Sequence, residues 1–296
     1  MLIVTSEPSG AGDRRDAVDL GNGRLSGQGR FESLEWGLCS DAGPVRDRNE
    51  DCAAAQSGTS GTFAARHPLF VVADGLGGHD AGEVASRVAV DTMLDSWTTA
   101  AGDPAKALRS AVRSANVAVV NEAIRSGHTG MGTTLTALTF SGNDVLIAHV
   151  GDSRVYRHRG DSCAQLTTDH SRVGDMLRMK LITVEQAARH PARSQLTRSL
   201  GAGMIVQIDL VREQARSGDI FVMCTDGVWD EIGNADMARL LAADDEQRRA
   251  DAAARLVAVA IDRGAADNVT AVVVSVSSAM TEKPSTDRRS FFKRRT

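Results

Sequence analysis

Five carboxylates stand at the ends of short apolar runs in this chain: Glu50 and Asp51 in Asn49-Glu50-Asp51, Asp74 in Asp74-Gly75, Asp226 in Asp226-Gly227 and Asp267 in Asp267-Asn268. A sheet fixes an acid at a strand end yet leaves it open to solvent. Several strands ending at one rim gather such acids, and the cluster repels itself until cations relieve it. Mg2+ and Mn2+ suit that task, because hard divalent ions prefer carboxylate and carbonyl oxygen with retained water. Taken singly, each acid has a plainer reading, since Asp-Gly is a common turn and Asn-Glu-Asp a wet loop. The two Asp-Gly pairs carry more weight. Each follows an apolar run, and a glycine after the acid lets the backbone come close to a ligand. The stretch Asp74-Gly-Leu-Gly-Gly-His79 leads directly into a helical pattern. Such a turn can cradle phosphate at a helix N-terminus. It matches neither the Walker loop nor the dinucleotide fingerprint.

The elements that must position these acids are legible as patterns. Leu34–Ser40, Phe70–Ala73, Thr134–Phe140, Val145–Val150, Val155–His158, Ile220–Thr225 and Val269–Val276 are short, rich in Val, Ile, Leu and Thr, and bounded by Gly, Asp or Asn, which predicts strands. Tight connections at Ser141–Asp144 and Gly151–Ser153 imply antiparallel hairpins. Ala81, Ala85, Ala89, Met93 and Trp97 recur every four residues and predict a helix. A second helix opens with Asp103 as cap and Pro104 in its first turn, and buries Leu108, Ala111, Val112, Ala115 and Val119. A capping box at Thr183–Gln186 opens a short helix, Asn234 caps another, and Gly264 closes a last one. Strand runs before, between and after two helical blocks give an α+β class, with antiparallel sheets covered by helix pairs.

Composition narrows the function. The 296 residues are 42% hydrophobic and 24% charged, ordinary for a folded soluble domain, and the net charge of −4 argues against a general nucleic-acid binder. Residues 1–33 hold six glycines and little periodicity, which predicts a flexible N-terminal extension. Residues 34–279 form the expected catalytic-size domain. Residues 280–296 carry six basic and two acidic side chains, a basic tail that a partner or an anionic membrane surface would attract. Cys39, Cys52, Cys163 and Cys224 form no CxxC pair and sit mostly by apolar runs, so reduced thiols in the cytoplasm are expected. No apolar stretch reaches the length of a membrane span.

Eight ordered segments resemble the protein phosphatase 2C (PPM) family of metal-dependent serine/threonine phosphatases in its bacterial form. They are Val45–Asp51, Val71–His79, Gly130–Thr134, His149–Arg154, Leu166–Ser171, Leu196–Gly201, Cys224–Asp230 and Asp267–Thr270, in the family's order. The resemblance implies a four-layer α-β-β-α sandwich, two antiparallel sheets flanked by helix pairs, with a two-metal centre at one end. It makes Asp74 the carboxylate bridging both metals, assisted by the Gly75 carbonyl, and Asp226 and Asp267 ligands of one metal. Glu50 and Asp51 support the other, Arg46 binds the substrate phosphate, and Asp152 holds a weaker third cation. Asn268 orients a neighbour or a water.

The implied activity is hydrolysis of phosphoserine and phosphothreonine in proteins. A water between two divalent cations, Mn2+ or Mg2+, ionises near neutral pH and attacks phosphorus in line, without a phosphoenzyme. The implied partners are phosphorylated proteins, including a serine/threonine kinase and its targets. A two-metal nuclease would also need clustered acids, but the acidic body and the lack of basic-aromatic strips disfavour it. A non-catalytic phosphopeptide module is separated by metal-dependent turnover. Two departures stand out. Leu76 follows Asp-Gly where some eukaryotic members have His, which leaves His79 as a helix-start residue near the site. Lys180 stands where many members have Gly, inside a segment (173–190) that resembles the family's mobile flap.

Overall fold

The computed structural model describes residues 24–57, 61–77, 81–242 and 251–277, together with the backbone of short strands at Leu2–Thr5, Arg15–Asp16 and Val18–Asp19. Strand Leu69–Leu76 shows how the layers are built. Leu69, Val71 and Ala73 point into one apolar cluster, and Phe70 and Val72 into another. Both faces of the strand are therefore covered, and its sequence is apolar from Leu69 to Ala73 rather than alternating. Val269–Val276 does the same in the second sheet. Val272, Val274 and Val276 face the space between the sheets, while Val269, Ala271 and Val273 face the other way.

The first sheet runs in the order Asp209–Gln214, Asp144–Val150, Leu135–Ser141, Leu69–Leu76, Asp51–Gln56, Leu2–Thr5, Arg15–Asp16. The second runs Ser162–Gln165, Arg154–Arg159, Ile220–Cys224, Val269–Val276, Leu34–Asp41, Leu25–Phe31, Val18–Asp19. The pairings are antiparallel except that Leu2–Thr5 joins Asp51–Gln56 in parallel. Helices Ala81–Thr98 and Pro104–Ser126 cover the first sheet through Ala85, Ala89, Met93, Trp97, Leu108 and Val112. Helices Asn234–Leu241 and Ala252–Asp262 cover the second through Met237, Leu256, Val257 and Ala260. The α-β-β-α layering is thus present.

Asp103 caps the second long helix through Lys106 N–H at 2.9 Å, and the Thr183 capping box is complete. Asn234 is the first helical residue rather than the cap, which is Gly233. A larger correction concerns the N-terminal extension. Leu25–Phe31 pairs along its length with Leu34–Asp41, so the boundary drawn between 33 and 34 falls inside a hairpin. One of the glycines that suggested flexibility, Gly29, serves close packing instead. A Cβ on Gly29 would stand 2.6 Å from the Trp36 ring, so only glycine lets that indole lie across the strand. The rest of residues 1–23, beyond the three short strands, lies outside the described residues, as does the whole basic tail 280–296. Among the described residues no helix is long and apolar enough to cross a membrane. The cysteines are free thiols, with Cys39, Cys52 and Cys224 buried.

Candidate metal centre

Asp51 and Asp74 are register partners on adjacent antiparallel strands, so their side chains leave the same face of the sheet side by side. The Asp74 backbone is held on both sides. Its N–H donates to Thr134 Oγ1 at 2.9 Å, and its carbonyl accepts from Thr134 N–H and Thr133 Oγ1, both at 2.8 Å. Asp51 reaches across to the second sheet, where Thr225 Oγ1 donates to its carboxylate at 2.9 Å. Thr225 in turn accepts from Thr270 N–H at 3.1 Å and immediately precedes Asp226, the first residue of a short helix. One hydroxyl therefore ties the two sheets together at the rim where Asp226 emerges.

Asp267 and Asn268 lead into Val269–Val276 at the same rim. Asn268 uses its whole side-chain amide. Its Oδ1 accepts from Glu50 N–H at 2.8 Å, and its Nδ2 donates to the Ala42 and Arg48 carbonyls at 2.9 and 2.8 Å. It thus closes the 42–50 loop that carries Arg46 and Glu50. Gly75 donates its N–H to the Glu50 carbonyl at 3.2 Å, and a Cβ there would stand 2.1 Å from the Gly82 carbonyl oxygen. Glycine is thus required where the strand passes the start of the helix. Arg46 is exposed and lies on Asp267, with 2.7 Å between Nη2 and Oδ2. Asp152, in the tight connection Gly151–Ser153, is buried, as is Asp51, while Glu50, Asp74, Asp226 and Asp267 are partly exposed.

The electrostatics follow from that crowding. Asp74 and Asp226 are raised well above the ordinary carboxylate value, first by burial and then by neighbouring acids: Asp51, Asp226 and Asp152 around Asp74, and Asp152, Asp267 and Asp51 around Asp226. Asp51 is pushed up to about 6 by burial, against the pull of the Thr270 and Thr225 hydrogen bonds. Burial, with Asp169 adding to it, lifts Asp152 to about 7. Burial also raises Glu50, opposed chiefly by Arg46. Buried acids that repel one another are costly unless paired or bound to metal. The all-oxygen donor set fits a hard divalent ion and would not select a soft one. As placed, no three His, Cys, Asp or Glu side chains among the described residues close around one point. The structure supplies gathered donors rather than a finished cage.

All five rim acids, Gly75, Arg46, Asp152 and Asn268 are at one end of the sandwich. His79 lies outside the described residues. Sequence reasoning missed the hydroxyls of Thr134, Thr225 and Thr270 that hold the acids. It also missed Trp229, whose Nε1 donates to the Asp152 carbonyl at 3.1 Å. All three threonines, and Trp229, stand in the eight segments, but nothing in a motif says which group a hydroxyl or an indole meets.

A sandwich of two sheets with helices outside and an acidic rim at one end defines a class, and the comparisons agree on which. Residues 48–268 match the family described as protein phosphatase 2C, and the chain belongs to it. The chain is 37% identical over 246 residues to serine/threonine protein phosphatase PstP of Mycobacterium tuberculosis, covering 82% of this chain and 45% of that protein. It therefore spans about half the length of that relative. With serine/threonine phosphatase stp of Listeria innocua it shares 35% over 243 residues, 79% of this chain and 93% of the relative. Among solved structures it is similar to the PstP catalytic domain in complex with two manganese ions, with a TM-score of 0.70, 34% identity, and coverage of 82% of this chain and 98% of that one.

Proposed function

We propose that the chain is a metal-dependent protein phosphatase that hydrolyses phosphoserine and phosphothreonine and takes two divalent cations, Mn2+ or Mg2+, with Asp152 holding a weaker third. The observation that carries this is the crowding of Asp51, Asp74, Asp152 and Asp226 at one rim, two of them buried and two partly exposed, with desolvation and other carboxylates as the leading influences on Asp74 and Asp226. Their names and the manganese in the PstP structure support the same reading. When bound, divalent cations would make water a nucleophile near neutral pH and offset charge on the phosphoryl oxygens.

The chain's own residues do the rest. Asp74, which feels the charges of Asp51, Asp226, Asp152 and Asp267, would serve both cations, with the Gly75 carbonyl assisting. Asp226 and Asp267 would serve one cation, and Glu50 and Asp51 the other, directly or through water. Asn268 and Thr225 hold these acids in place without touching substrate. Arg46 spends its charge on Asp267 in the structure. Once that carboxylate is otherwise neutralised, the exposed guanidinium is free to fork onto a substrate phosphate. No cysteine is needed as nucleophile: burial raises the Cys39, Cys52, Cys163 and Cys224 thiols, which keeps them protonated. The substrates are phosphoproteins, among them a serine/threonine kinase and its targets, in the cytoplasm, with the basic tail contacting a partner or a membrane surface.

Hydrolysis of p-nitrophenyl phosphate and of a phosphothreonine peptide, with Mn2+ and with EDTA, tests the reading. Turnover that needs the cation is expected. Absence of turnover in a sample shown to bind Mn2+ would leave a phosphopeptide-binding module.

A further inference from the structure

The connection that carries Asp152 is gripped by one residue outside the metal centre. His170 is buried, and it makes both polar contacts available at Gly151. Its backbone N–H donates to the Gly151 carbonyl at 2.7 Å, and its Nδ1 accepts from Gly151 N–H at 3.1 Å. The same residue stands just ahead of the segment (173–190) that resembles the flap, at the base of the longer stretch 171–197. Ser171 caps helix Arg172–Arg178, and the chain returns to bridge Ser171 with Leu196. Thr197 N–H then donates to the His170 carbonyl at 2.8 Å, beside Arg172 N–H on the Gln195 carbonyl at 2.8 Å. Both ends of the segment therefore close on His170.

Nδ1 accepts the Gly151 amide, which assigns the proton of the neutral ring to Nε2. Nε2 lies 3.1 Å from Asp209 Oδ2, its acceptor, and also 3.1 Å from Arg198 Nη1, which donates to the other oxygen of that carboxylate at 2.8 Å. Burial keeps His170 below the ordinary histidine value, which favours the neutral form. His149 covers one face of the ring at 4.7 Å between centroids, held by its Nδ1 to Thr136 Oγ1 at 2.9 Å. On the far side of the connection, Trp229 bonds the Asp152 carbonyl. Arg154 sits 3.5 Å over the Trp229 ring and forks onto Asp169, with its closest contact at 2.6 Å. Asp152 is thus clamped from two directions; the His170 clamp joins the base of the segment that ends at Thr197 through backbone bonds, while the Trp229 side meets the segment through Arg193, 3.6 Å from Asp230.

We propose that His170, oriented by Asp209, is a positioning residue for Asp152: it joins the base of the 171–197 segment and the Gly151–Asp152 connection into one unit. Cation binding at Asp152 and order at the base of that segment are then linked. The inference rests on the phosphatase reading for its purpose, but its test does not need turnover.

The test compares His170→Leu, which keeps bulk and loses the acceptor, with His170→Asn, whose Oδ1 lies where Nδ1 does and can accept Gly151 N–H. Hydrogen exchange at the Gly151 amide is followed in metal-free protein, and Mn2+ binding is measured by electron paramagnetic resonance titration. His170→Leu should speed Gly151 exchange and weaken the looser Mn2+ class by about tenfold, the range for loss of a group that orients a ligand. It should leave the tighter class in place, and His170→Asn should recover most of both effects. Unchanged exchange and binding in His170→Leu, or no recovery by Asn, overturns the proposal. If His170→Leu does not fold, Asp209→Asn carries the test. It removes the charge that holds Nε2–H, so faster Gly151 exchange is expected and none refutes the idea. Failure of every sample, wild type included, to hydrolyse phosphate would sink the phosphatase reading while these two readouts still report on His170.

Discussion

Two sets of acids lie within one end of this molecule and are treated in opposite ways. Asp169 and Asp209 each meet an arginine: Arg154 forks onto Asp169, and Arg198 and His170 share Asp209. Asp209 stays below the ordinary value even though burial pushes it up, because those bonds outweigh burial. Asp74 and Asp226 meet chiefly burial and one another, and both are driven up. The first set is complete as folded. The second is incomplete, and its completion is left to a ligand. An acid that destabilises the fold by itself marks function more reliably than one the fold has satisfied.

The largest test of this contrast removes an incomplete acid. Asp226→Asn should lower Mn2+-dependent phosphatase activity by more than ~100-fold, since loss of a mere orienting group already reaches that range. The same change should raise metal-free stability by about 1 kcal/mol in urea unfolding with EDTA, because it relieves repulsion. A loss of stability instead would mean that the acid serves the fold. Removing a complete pair should act in the opposite sense. Arg154→Ala leaves Asp169 buried without its partner and strips the cation from Trp229, and should cost about 3 kcal/mol of stability by the same measurement. A cost near zero would erase the difference between the two sets.

A third test uses pH. In the unfolded chain the rim acids ionise near ~4. In the folded, metal-free protein Asp152 keeps its proton to about 7, and Asp74 and Asp226 are also raised far above the ordinary value. Between about pH 7.5 and 8.5 the folded state therefore binds more protons than the unfolded one, and stability falls as pH rises. Burial lowers His149 and His170, whose unfolded forms are still partly protonated near ~6.5 and oppose the trend there; above about 7.5 they are neutral in both states and add nothing. Melting temperature in EDTA should decline from about pH 7.5 to 8.5, and saturating Mn2+ should flatten the decline. A flat metal-free profile would contradict the crowding.

The smallest effect concerns Lys180, outside both sets. Helix Arg172–Arg178 ends in paired bonds, Leu181 N–H to the Met176 carbonyl and Lys180 N–H to the Leu177 carbonyl. That closing turn places its middle residue in the left-handed region, and Lys180 has φ of 58°. A side chain there costs about 1 kcal/mol relative to glycine. Lys180→Gly should slow hydrogen exchange at the Leu181 amide by roughly fivefold, the equivalent of that energy. Unchanged exchange would show that the turn is held by something other than its local geometry.

Much of the molecule was legible in order along the chain. Apolar runs with turn residues between them located the central strands, and fourfold spacing located the helices over the first sheet. Asp51–Gln56 escaped notice because Asp-Cys-Ala-Ala-Ala-Gln has weak strand propensity. It is a strand because small residues are needed there, with Ala54 under the helices and Ala53 and Ala55 between the sheets. Asp209–Gln214 escaped because an edge strand carries charge, here Arg212 on Asp144 and Glu213 on Arg157. The acids of the site were visible as residues, since Asp-Gly after an apolar run is a local pattern. By itself the sequence determined which groups the chain offers, the alternation that layers them, and the family they resemble. Only the tertiary structure decided which acids are compensated. Compensation depends on partners far apart in the chain, such as Thr225 on Asp51 or Arg154 on Trp229, and no local spacing encodes a contact made across two sheets.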